Sequence, residues 1–60
     1  MTIQLKERNY ANEIYEVIAN ENEKLEEQEV IKEVKKTAGF IFGYDIQIND
    51  KFATVKVYTD

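Results

Sequence analysis

The strongest constraint lies in the last third of the chain, where residues 40–48 and 51–59 form two strand-like runs around Asn49-Asp50. Asn and Asp tolerate positive φ, so this pair suits a two-residue hairpin turn. Pairing about it sets Ile48 opposite Lys51, Ile46 opposite Ala53, Tyr44 opposite Val55 and Phe42 opposite Val57. Those residues build one mostly apolar face. The other face carries Ile41 with Tyr58, Gly43 with Lys56, Asp45 with Thr54, and Gln47 with Phe52. A three-residue loop would slip the register by one and scatter the apolar set over both faces. Gly43 interrupts its strand and is read as a bulge.

Upstream, residues 2–6 alternate, with Ile3 and Leu5 on one side and Thr2, Gln4 and Lys6 on the other. That is a short strand of period two. Asn9 suits the N-cap of a helix starting at Tyr10. Tyr10, Ile14, Val17, Ile18 and Leu25 then fall on one helical stripe, and Val30, Ile31, Val34 and Ala38 on a second. The second stripe is rotated by well over a right angle, so one straight helix cannot bury both against one surface. Asn20 and Glu23 stand at capping-box spacing, which divides the region into helices over 9–21 and 24–37. Lys35 and Lys36 suit the negative end of the second helix, and Gly39 supplies a left-handed stop. The expected fold is α+β. It is a single β-α-α-β-β domain over 1–60, in which the hairpin and the N-terminal strand form a three-stranded antiparallel sheet with helices on one face.

A domain of 60 residues buries only ~60% of the surface its unfolded chain exposes. Such domains compensate with disulfides, a metal or association. Cys and His are both absent, so association is left, and a homodimer is expected. Ser is absent too, so there is no conventional nucleophile-plus-base arrangement and no enzyme is expected. Gly39 and Gly43 stand alone and make no phosphate loop, and no cofactor is expected. Asp45, Asn49 and Asp50 offer oxygens near the turn but lack the spacing of a calcium loop. The net charge of −4 disfavours direct nucleic-acid binding and adsorption to anionic membranes. No apolar run reaches the length of a membrane span, and no signal peptide is legible at the start, so a cytoplasmic location is expected.

Two surfaces then carry the binding expectation. Glu29 with Lys32 and Glu33 with Lys36 are favourable i,i+3 pairs. At i,i+4, however, Glu23 meets Glu27 and Glu29 meets Glu33. The acidic face repels itself, and a basic partner would relieve it. Glu21, Glu23, Glu26, Glu27 and Glu29 are the candidates for meeting a basic, nucleic-acid-binding groove on a protein partner. Ile41, Phe52 and Tyr58 among polar neighbours are candidate anchors for a dimer or partner. Short acidic chains of this composition occur among phage and mobile-element proteins that block host defence enzymes. An anti-CRISPR-like inhibitor is therefore the first functional expectation, and a structural or assembly subunit another.

Residues 2–38 also resemble a ribbon-helix-helix DNA-binding protein. Thr2, Gln4, Lys6 and Arg8 alternate along the first strand, and Gln28-Glu29-Val30-Ile31-Lys32 sits where that family's second helix begins. The resemblance implies a dimeric repressor or antitoxin whose paired N-terminal strands enter the major groove, with Thr2, Gln4, Lys6 and Arg8 reaching bases or phosphates.

Overall fold

The computed structural model describes all residues, 1–60. The chain runs β1 (Thr2–Arg8), β2 (Asn12–Ile18), α1 (Glu27–Ala38), β3 (Gly43–Asn49) and β4 (Phe52–Tyr58). The strands form one antiparallel sheet in the order β1-β2-β4-β3, so β2 and β4 are central and β1 and β3 are edges. α1 covers one face. The molecule is therefore α+β with a single antiparallel sheet, as its sequence suggests, but the sheet has four strands and there is one helix.

The added strand is β2, where a helix over 9–21 was expected. Ile14, Val17 and Ile18 satisfy a helical stripe, yet Glu13, Tyr15 and Val17 also alternate with Asn12, Ile14, Glu16 and Ile18. The segment is rich in β-branched and aromatic residues, which a pleated surface accommodates better than a helix does. Burial decides the matter: Tyr15 and Val17 are buried against α1, while Tyr10 is 91% exposed in the β1–β2 turn. β2 then pairs with both β1 and β4, satisfying backbone groups on both sides.

The second expected helix, 24–37, is real but shifted to Glu27–Ala38. Val30, Ile31 and Val34 are its buried stripe. Its N-cap residue, Glu26, makes no side-chain cap hydrogen bond. The Asn20–Glu23 signal closes a turn instead of opening a helix. Gly39 stops the helix as anticipated, at φ 83°, with its N–H donating 2.8 Å to the Lys35 carbonyl.

The C-terminal hairpin forms, with its turn one residue further on. Ile48 faces Ala53, Ile46 faces Val55, Tyr44 faces Val57 and Gly43 faces Tyr58. The two loop residues are Asp50 and Lys51, with Asp50 at φ 35°. Partners move by two positions, so side-chain parity survives and Tyr44, Ile46 and Ile48 still face the helix. Phe42 does not: it precedes the strand and is 69% exposed. The β3–β4 register is unbroken from Gly43 to Asn49, so no bulge interrupts β3 itself; ahead of it the Phe42 N–H donates 2.7 Å to the carbonyl of Tyr58, the residue opposite Gly43. The irregularity falls in β1 between Leu5 and Glu7, where Lys6 is the extra residue.

The core comprises Tyr15, Val17, Leu25, Val30, Ile31, Val34, Ala53, Val55 and Val57. Full burial of each valine or larger side chain is worth about 1.5–3 kcal/mol. The one polar atom in that set, the Tyr15 hydroxyl, donates 2.8 Å to Glu13 Oε1. Arg8 Nε donates 2.7 Å to the other oxygen of the same carboxylate.

Candidate functional site

The acidic candidates fall on the segment that leaves β2 and enters α1. Ala19 N–H donates to the Lys51 carbonyl at 2.9 Å, which ties the segment's start to the hairpin turn. Glu23 N–H donates to the Asn20 carbonyl at 3.1 Å, and Asn20 N–H donates to Glu23 Oε1 at 3.0 Å. Lys51 Nζ donates to the carbonyls of Glu21 and Glu23 at 3.0 and 2.7 Å. The Met1 ammonium lies 3.0 Å from Glu23 Oε1. The Asn20 N–H, and next the Met1 ammonium, hold the Glu23 carboxyl below the usual carboxylate range. Glu23 is thus a turn-building residue.

Glu27 is also engaged, accepting from the Tyr44 hydroxyl at 3.1 Å, and that hydrogen bond pushes the Tyr44 phenol up. Glu21, Glu26 and Glu29 are exposed and enter no side-chain hydrogen bond or ion pair. Glu29 joins Met1, Glu23, Lys32 and Glu33 around an open cleft of about 340 Å³. No buried side-chain polar atom lacks a partner.

The second candidate surface is the sheet face turned away from α1. The ladder sets its rows. Thr2, Ile18, Phe52 and Asn49 form one, and Gln4, Glu16, Thr54 and Gln47 the next. Glu7, Ile14, Lys56 and Asp45 follow, then Asn12, Tyr58 and Gly43. Phe52 and Tyr58 belong here as expected. Ile41 does not: it packs half-buried against the core from the helix side, because it lies in the α1–β3 connection and outside the ladder. Ile14 and Ile18, which also fit a helical stripe, are further apolar members of this face. The Tyr58 hydroxyl donates 2.6 Å to Asp45 Oδ2, and Lys56 Nζ sits 5.6 Å from the Tyr58 ring centroid. The wholly polar Gln4–Gln47 row separates Ile18 and Phe52 from Ile14 and Tyr58.

The four residues of the DNA-binding resemblance are not brought to one face. Thr2 and Gln4 share the open face, Lys6 is the bulge residue, and Arg8 lies beyond the bulge, paired with Glu13. β1 is followed by a strand and the chain holds one helix, so the helix pair of that family is missing. The most exposed apolar groups were not among the candidates. Tyr10, Phe40 and Phe42 are 91, 77 and 69% exposed, and the two phenylalanines meet edge to face at 5.1 Å between centroids. The apolar run Phe40-Ile41-Phe42 bracketed by Gly39 and Gly43 was the legible signal for a connection rather than a strand.

No protein-family model matches the chain, and no curated protein or solved structure matches it either.

Proposed function

We propose that the chain is a non-catalytic binding module whose acidic segment, residues 20–33, occupies a basic groove on a protein partner. One observation carries this reading. Six carboxylates and two lysines fall within 20–33, so that segment holds the whole net charge of −4 and the rest of the chain is neutral. A solubilising charge has no need to be gathered on one segment. Glu21, Glu26 and Glu29 project from it with no partner of their own. Grooves that bind nucleic-acid phosphates are the common protein surface of complementary sign. A chain that fills such a groove inhibits the enzyme that owns it by competing with its substrate.

The test replaces Glu21, Glu26 and Glu29 together by Lys and leaves Glu23 and Glu27 to their structural contacts. Proteins eluted from a DNA-cellulose column are offered to the immobilised chain at low and high salt. The native chain retains a protein that short duplex DNA displaces, and retention falls steeply above physiological salt, where screening acts within ~8 Å. The triple variant retains none of it. Retention that ignores both DNA and the three reversals sinks the groove reading.

A further inference from the structure

The sheet has two edges, and they are built differently. Thr59 N–H donates to the Ala11 carbonyl and Ala19 N–H to that of Lys51. Both pairs continue the β2–β4 register, and hydrogen-bonded pairs alternate along an antiparallel ladder. The odd-numbered residues of β4 therefore bond to β2, and its even-numbered residues bond to β3. Through the β3–β4 register, Gly43, Asp45, Gln47 and Asn49 turn their backbone groups to β4. Tyr44, Ile46 and Ile48 turn theirs outward, away from the sheet. The same reasoning on β1 leaves Ile3 and Leu5 facing outward.

β1 is defended against further pairing. Lys6 bulges from it, and Lys6-Glu7-Arg8 puts three charges in a row. β3 has seven regular residues with no bulge, no Pro and no Lys or Arg. Its inward side chains Tyr44, Ile46 and Ile48 pack against the core but stay half-exposed, whereas Val17, Val55 and Val57 are fully covered. The core is thus open along this edge.

We propose that β3 pairs antiparallel with β3 of a second copy about a two-fold axis through Ile46, joining the two sheets into one. In that register Ile46 meets its own counterpart, Tyr44 meets Ile48, and Asp45 meets Gln47. Every outward-facing residue opposes another, giving about six new backbone hydrogen bonds at two per pair. Aromatic stands against β-branched side chain, a favourable cross-strand pair, and carboxylate against an amide whose NH2 can donate to it. An axis through Asp45 sets two carboxylates face to face, and one through Gln47 leaves Tyr44 against the Asp50 turn. A two-fold axis normal to the sheet keeps both helices on the same side, so the half-exposed row is covered by each copy in turn. The strand supplies its own complement, which is why the occupant is a second copy and not a foreign strand. The pairing touches residues 20–33 only through the Tyr44 hydroxyl on Glu27; it uses none of Glu21, Glu26 and Glu29 and stands apart from the groove reading.

At this length the chain is accessible to chemical synthesis, so the test uses the full chain with a methyl group on one backbone nitrogen. Sedimentation equilibrium of the unmodified chain shows twice the 7.1 kDa chain mass at high micromolar concentration. N-methylation at Ile46 returns it to the single-chain mass with the far-ultraviolet dichroism of the diluted native chain. N-methylation at Leu5, on the β1 edge, leaves the dimer intact. Amide exchange of the unmodified chain supplies a second measure that needs no variant: raising the concentration protects Tyr44, Ile46 and Ile48 while Ile3 and Leu5 stay fast. A single-chain mass at every concentration overturns the proposal. So does a dimer that survives methylation at Ile46, or protection that rises at Ile3 and Leu5 instead.

Discussion

Two faces of one sheet carry apolar side chains, and only one of them is dry. Towards α1, Tyr15, Val17, Ala53, Val55 and Val57 are all at most 1% exposed. On the other side Ile18 and Phe52 stay 39 and 38% exposed, and a wholly polar row separates them from Ile14 and Tyr58. Strand hydrophobicity does not make this difference, since β-branched residues line both. The helix makes it. A helix is ~10 Å across and strands are ~4.8 Å apart, so one helix covers about two strands. Here these are the central pair, β2 and β4. The edges are half-covered at best, as Leu5 at 42% exposure shows. The dry strip is where stability resides, and the wet face and the edges are where other molecules can act.

The sharpest way to break this contrast is to place a charge on each face of the same strand. Val55→Asp puts an unpaired carboxylate in the dry strip, at a cost of several kcal/mol. A domain this small does not survive that, and its cooperative thermal transition and near-ultraviolet dichroism vanish. Thr54→Lys, one residue away on the wet face and beside Glu16, changes stability by no more than about 0.5 kcal/mol in urea titration. Equal losses from both would mean that the open face is covered as well.

Alkaline pH tests the same contrast through two tyrosines. Tyr15 is pushed up to about 12, first by burial and then by its hydrogen bond and proximity to Glu13. Tyr58, on the wet face, is raised chiefly by its hydrogen bond to Asp45. A tyrosine held neutral in the folded state retains its proton when the unfolded chain has lost it. Its contribution is complete below pH ~10 and disappears as pH rises towards the folded-state value, by on the order of 1 kcal/mol per pH unit for Tyr15. Urea unfolding between pH 9 and 12 should show that slope, flattened by Tyr15→Phe and little altered by Tyr58→Phe. A slope unaffected by Tyr15→Phe would place its source elsewhere. At neutral pH the two variants also separate. Tyr15→Phe removes a part-buried hydrogen bond and costs about 1 kcal/mol, whereas Tyr58→Phe removes an exposed one and costs less.

What the sequence revealed follows the same division. The hairpin parity, the stripe of Val30, Ile31 and Val34, and the Gly39 stop were all readable because each rests on local periodicity or a single backbone requirement. β2 was not, because Ile14, Val17 and Ile18 fit a helix and a strand alike. Only pairing with β1 and β4 separates the two readings, and the β4 partners run from Phe52 opposite Ile18 to Tyr58 opposite Asn12, far along the chain. The turn offset had a non-local cause as well. Moving it to Asp50-Lys51 puts Ile48 against Ala53 and frees Lys51 to hold the carbonyls of Glu21 and Glu23. Of the candidate surfaces, the exposed acids Glu21, Glu26 and Glu29 were legible as charge. Ile41 was misplaced because β3 begins only at Gly43 and leaves it in the α1–β3 connection, and Tyr10 was lost to the false helical stripe.

The smallest effect tests whether the wet face has any cohesion of its own. Ile18 and Phe52 oppose each other across β2 and β4. Their even-numbered positions make them a non-hydrogen-bonded pair, the geometry in which side chains come closest. A double-mutant cycle with Ile18→Thr and Phe52→Thr should return a coupling of about 0.2–1 kcal/mol, less than either single loss in the dry strip. The variants keep β propensity, so the cycle isolates the contact. A coupling of zero would mean that the two side chains splay into water and leave the open face without an apolar centre. A coupling beyond that range would mean that a further surface packs on them, and the division between dry and wet faces would have to be redrawn.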